Sequence, residues 1–145
     1  MKFLLPPRLA VCAITMAAML APVQATTSEA KARAYKIAKV LKDNGISFRN
    51  DYWHGLLKRK GSTTIKTTLK KDTQYILVGG GCNDAYDVDI TVYDENWKQV
   101  GKDSKVDANP VVKVTPKWSG TFHVKVTMAN STSNGAHYAL IVGYK

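Results

Sequence analysis

Six aspartates, Asp84, Asp87, Asp89, Asp94, Asp103 and Asp107, crowd into one stretch between Cys82 and Pro116. Calcium takes about six to eight oxygens, often from several carboxylates and loop carbonyls. Asp87 and Asp89 fall on the same strand face, and Asp84, Asn83 and the carbonyls of Gly79–Gly81 are their loop neighbours. Asp84, Asp87 and Asp89 are therefore the candidate calcium ligands. The structural alternative is that these aspartates accept backbone amides and cap turns. No EF-hand spacing is present. Trp97 follows directly on the turn Asp94–Asn96, and Trp118 stands in the connection Pro116–Gly120. An aromatic on such a loop suits a sugar ring, which also has an apolar face and a polar edge. Covering an end of the core is the alternative for both. Tyr52 and Trp53 beside the basic run Lys58, Arg59, Lys60 form a second candidate surface for a glycan or polyanion, with a solvated turn as the alternative.

Catalytic patterns are missing where the common mechanisms would need them. His54, His123 and His137 are not spaced as metal ligands. His123 is expected on the polar face of its strand, in water. No G-x-S-x-G is present, and Ser119 sits in a Trp-Ser-Gly turn. The run Gly79–Gly81 lacks the Lys and Ser/Thr of a phosphate loop and reads as a flexible strand exit. No Glu lies among the expected strands to pair with another carboxylate for glycoside hydrolysis. An enzyme is not expected.

The elements that must position these residues begin after an export leader. Lys2 and Arg8 form a basic n-region, Leu9 to Ala21 an apolar core, and Val23 and Ala25 the small residues before a cut. Residues 1–25 are read as a signal peptide cleaved after Ala25, and an uncleaved anchor is the alternative. The expected location is the periplasm or the exterior, with no stable membrane insertion after cleavage. Of the 21 Lys and Arg, Lys2 and Arg8 fall in the leader, which leaves 19 against 11 Asp and Glu and a net charge of +8. A basic surface favours polyanions. Cys82 has no second cysteine in the mature chain, because Cys12 lies in the leader. It is expected to be buried near a strand end, with an intermolecular bridge as the alternative.

Thr26 with Glu29 three residues later fits a capping box. Ala30, Ala34, Ile37, Ala38 and Leu41 then recur at helical spacing, and Asn44-Gly45 stops the helix. Residues 46–61 have no clean period, and their aromatics are expected to fold over one end of the core. From Ser62 the period becomes two: Ile65/Thr67/Leu69, Val88/Ile90/Val92 and Phe122/Val124/Val126/Met128 all alternate with polar residues. Seven or eight short strands follow at regular spacing with no helix between them. The expected fold class is all-β: an antiparallel, jelly-roll-like β-sandwich preceded by one short N-terminal α-helix. Residues 26–60 form the helix and an aromatic linker packed on the core, and residues 61–145 form the sandwich.

The order of these features is similar to one known family. A strand ending near Tyr75 leads to a Gly-rich loop and Asp87-Val88-Asp89-Ile90. Then come Tyr93-Asp94, Asp103, Asp107, Asn109-Pro110-Val111-Val112, Thr115-Pro116, Ser119-Gly120 and a last Tyr138-Ala139-Leu140 strand. Residues 61–145 resemble the bacterial pre-peptidase C-terminal domain family. The resemblance implies a jelly-roll-like sandwich without catalytic residues, which in some relatives binds extracellular polymers and in some binds calcium. The chain departs from the family in carrying only Cys82 where some relatives have paired cysteines. Only a helix and an aromatic segment stand before the sandwich, so an accessory role to a peptidase on the same chain is not expected. The expectation is an exported, non-catalytic binding module for an anionic polymer, an acidic glycan first. The alternative is a periplasmic interaction factor, such as an inhibitor or chaperone-like partner of an acidic protein. Nucleic acid is not expected as a partner, and calcium is the only cofactor considered.

Overall fold

The computed structural model describes residues 26–145; the leader read at residues 1–25, Cys12 included, lies outside them. Helix α1 spans Thr27–Asp43. Thr26 caps it, its Oγ1 accepting the Glu29 N–H at 3.3 Å. Gly45, at φ +86°, takes the left-handed turn that ends it. Ala30, Ala34 and Ala38 are buried on the inward stripe, with Ile37 and Leu41 half-buried beside them. Among the described residues no helix is long and apolar enough to cross a membrane.

Eight strands follow: β1 Ser47–Leu57, β2 Ser62–Leu69, β3 Tyr75–Gly81, β4 Ala85–Tyr93, β5 Gln99–Asp103, β6 Val111–Val114, β7 Gly120–Ser131 and β8 Ala136–Tyr144. They form two antiparallel four-stranded sheets, ordered β1-β8-β3-β6 and β2-β7-β4-β5. Strand β1 pairs with β8, β2 with β7, β3 with β6 and β4 with β5, as in one long hairpin rolled onto itself. That is a jelly roll. The structure is thus an all-β sandwich with one helix.

The period-two strands bury one face between the sheets. Leu69, Val88, Ile90, Phe122, Val124 and Met128 meet Leu77, Val112, Leu140 and Val142 there. Each such side chain contributes about 1.5–3 kcal/mol on full burial. The helix adds a third layer by packing on the other face of the first sheet, against Ile76, Val78 and Ile141. Strand β3 is therefore buried along its whole length, which is why it reads as an apolar run without alternation.

Two expectations need correction. Gly79–Gly81 is not a flexible strand exit but the buried end of β3. A Cβ on Gly80 would stand 2.7 Å from the Ala34 nitrogen, so the alanine stripe of the helix seats directly on it. Residues 46–61 do not fold over an end of the core. Residues 47–57 form the edge strand β1, whose register slips between Phe48 and Tyr52. That bulge breaks the alternation and hid the strand.

Candidate functional site

The rolled hairpin divides the loops between two ends. The β2–β3, β4–β5 and β6–β7 loops share one end with the helix terminus and the carboxyl terminus. Hydrogen bonds stitch this end together: Asp72 N–H to the Pro116 carbonyl, the Lys71 N–H to Ser119 Oγ, and the Lys145 N–H to the Gln74 carbonyl. The β1–β2, β3–β4, β5–β6 and β7–β8 loops lie at the other end, about 25 Å away by the length of β2. Trp97 and Trp118 fall at the first end, and Lys58, Arg59 and Lys60 at the second.

Trp97 is built into its loop. Asp94, buried, accepts the N–H groups of Asn96 and Lys98 on Oδ1 at 2.8 and 2.9 Å. The Trp97 N–H reaches the Asp94 carbonyl at 3.1 Å. These bonds hold Trp97 at φ +62°, a left-handed conformation that a bulky residue takes up at a cost of about 1–2 kcal/mol. The indole then lies flat on the His123 ring, centroids 4.0 Å apart and planes 8° apart, with Tyr93 tilted at 5.9 Å. One indole face covers His123, and the residue remains 57 % exposed. The expectation of a solvated His123 is corrected: the residue is 8 % exposed, because Trp97 roofs it. Its Nδ1 has no hydrogen-bond partner.

Trp118 stands on the other side of the same strand. His123 faces out from β7, and its neighbour Phe122 faces in; Trp118 stacks on Phe122 at 6.1 Å and is 38 % exposed. A cavity of about 270 Å³ opens beside it. Val100, Val114, Pro116 and Phe122 give it an apolar floor, and Lys98, Lys113 and Lys117 line it. Among the described residues the ion pair within 4 Å is Glu29–Arg33, so none of these three lysines has an acidic partner. Asp94 also lines the cavity, with Oδ1 committed to the loop amides. Glu95 stands near Trp118: its Oε2 and Trp118 Cδ1 both lie 3.6 Å from the place of a Gly120 Cβ.

The remaining candidates separate. Tyr52 and Trp53 point to opposite faces of β1. Tyr52 carries Lys31 4.0 Å above its ring and helps seat the helix, whereas Trp53 packs against the main core. Lys58, Arg59 and Lys60 are exposed in the β1–β2 turn, fixed by the Lys60 N–H to the Met128 carbonyl. Asp87 and Asp89 come together on β4, each with a buried oxygen lacking a partner. Burial, with the Asp87 charge beside it, raises the Asp89 pKa above its ordinary value. Asp84 is not grouped with them. Among the described residues no three His, Cys, Asp or Glu side chains are grouped to hold a metal ion. Cys82 is buried as expected, its Sγ accepting the His137 N–H. Asp103, Asp94 and Asp107 cap turns through backbone amides, as the structural alternative held.

Sequence reasoning missed His123 as the base of the Trp97 stack, and Lys98, Lys113 and Lys117 as one group. The tyrosine and histidine are set side by side by the Tyr93↔His123 register, and Lys113 reaches Lys98 only through the packing of β6 on β5. No model of a known protein family matches the chain, and no curated protein matches it.

Proposed function

We propose that this protein is an exported, non-catalytic binding module of the pre-peptidase C-terminal domain type, and that its tryptophan end binds an acidic glycan. The observation that carries the reading is the Trp97 loop. A left-handed backbone is the natural place for Gly or Asn, and here it presents an indole flat and half in water. Strain of this kind is retained where a side chain must be held in a set place. The free indole face offers a stacking platform, and Trp118 offers a second one beside the lysines. Unpaired cations at a cavity mouth supply a charge preference and long-range steering. The five aspartates Asp84, Asp87, Asp89, Asp103 and Asp107 sit toward the opposite end, which leaves the tryptophan end the more basic of the two.

Co-sedimentation with an insoluble polyuronate and with a neutral glycan, at low and moderate salt, tests the reading. The expected result is salt-sensitive binding to the polyuronate that weakens on Trp97→Ala. Equal binding of Trp97→Ala and the parent, or capture by neither polymer, would sink the proposal.

A further inference from the structure

Three cavities lie around the tryptophan end, and two of them share Arg49. The largest, about 710 Å³, is a groove between the end of α1 and the bulge in β1. Ala38, Ile46 and Phe48 floor it, Tyr35 stands at its wall, and Lys39, Lys42 and Arg49 line it. Among the described residues no acidic side chain lines it. Arg49 also lines a second cavity, of about 390 Å³, with Lys70, Thr73, Tyr75 and Tyr144. Its guanidinium donates to Thr67 Oγ1 and to the Thr68 carbonyl, each at 2.8 Å, and lies 5.4 Å from the Tyr75 ring. These acceptors are neutral, so the bonds orient the charge without cancelling it. Beyond Lys70, the bonds from Lys71 and Asp72 to Ser119 and Pro116 carry the surface to the Trp118 loop and its lysine-lined cavity.

We propose that these cavities form one track across the end of the sandwich, and that its ligand is an extended acidic polysaccharide chain. The inference rests on the glycan reading above and names the form of the ligand. Cations recur along the track at Lys39, Lys42, Arg49, Lys70, Lys117 and Lys98. Exposed aromatic faces recur beside them at Tyr35, Tyr144 and Trp118. Charge spread over separated cavities suits a chain that carries one anion on each of many units. A single sugar engages only one cavity. The helix is thereby a part of the binding surface and not only a cover for the sheet.

The test is a titration of the protein with a short oligouronate, a long one, and a single-stranded oligodeoxynucleotide of matching length and charge. The long oligouronate is expected to bind at least tenfold more tightly than the short one. Replacing Lys39→Gln and Lys42→Gln together, both exposed on the helix, should weaken the long chain by about five- to tenfold. The same change should weaken the short chain by less than the long one. Trp97→Ala should weaken both. No gain with length, or no effect of the helix replacements on the long chain, would overturn the track while the Trp97 effect preserves the glycan reading. Binding of neither oligouronate would overturn both, and an equal affinity for the oligonucleotide would overturn the choice of a glycan.

Discussion

Replacing Trp97 with Ala and, separately, with Gly distinguishes the strain of its loop from the work of its ring. Both changes remove the indole. Trp97 hides a little under half of its surface, roughly 80 Å² of apolar area, which is about 2 kcal/mol. The stack on His123 adds about 1 kcal/mol. Trp97→Ala leaves a Cβ at φ +62° and recovers none of the left-handed penalty, so it should cost about 3 kcal/mol. Trp97→Gly recovers about 1 kcal/mol of that penalty and should cost only about 2 kcal/mol. Urea denaturation should therefore find the Gly variant the more stable, and thermal denaturation should place its melting temperature about 4 °C above that of the Ala variant. Binding depends on the ring alone, and both variants should lose about thirtyfold in affinity for a polyuronate, the usual scale for truncating a central tryptophan. Equal stability of the two, or a more stable Ala variant, would refute the strain argument. Retained binding in both would refute the platform.

Other outcomes follow from neighbouring geometry. Asp94→Ala strips the acceptor from the Asn96 and Lys98 amides and should cost about 2 kcal/mol, measured by urea denaturation. It should also weaken polyuronate binding, because the Trp97 loop loses its anchor. Gly80→Ala drives a Cβ into the backbone of α1 and should cost about 3 kcal/mol, with amide exchange rising first in the helix. Asp89 has a raised pKa in the fold, so the folded state holds its proton more tightly than the unfolded chain. Its contribution is present below the ordinary Asp pKa and is lost as pH rises through the raised value. Asp89→Asn should remove that dependence and add a few tenths of a kcal/mol at neutral pH, read from denaturation at a series of pH values.

Strands β2, β4 and β7 were legible because each turns its aliphatic residues to a single face, so those residues alternate with polar ones. The helix was legible because Ala30, Ala34 and Ala38 keep one stripe and Thr26 and Gly45 mark its ends. Strand β1 was not, since its bulge slips the register between Phe48 and Tyr52. Nor was the end of β3, where Gly79–Gly81 carries no apolar side chain and owes its burial to Pro110, Ala85 and the helix backbone. At the site, Trp97 and Trp118 stood out by type and turn position. Their shared end, and their distance from Lys58–Lys60, depend on how the hairpin rolls. The lysines of the Trp118 cavity come from a turn, a strand and a loop, and no local pattern joins them.

The most direct test compares the two ends of the sandwich in one binding isotherm. The protein carrying Trp97→Ala with Trp118→Ala should lose its affinity for an acidic polysaccharide. The protein carrying Lys58→Gln, Arg59→Gln and Lys60→Gln should keep most of it, despite losing three positive charges. The opposite result, with binding lost at the basic turn and kept without the tryptophans, would contradict the account.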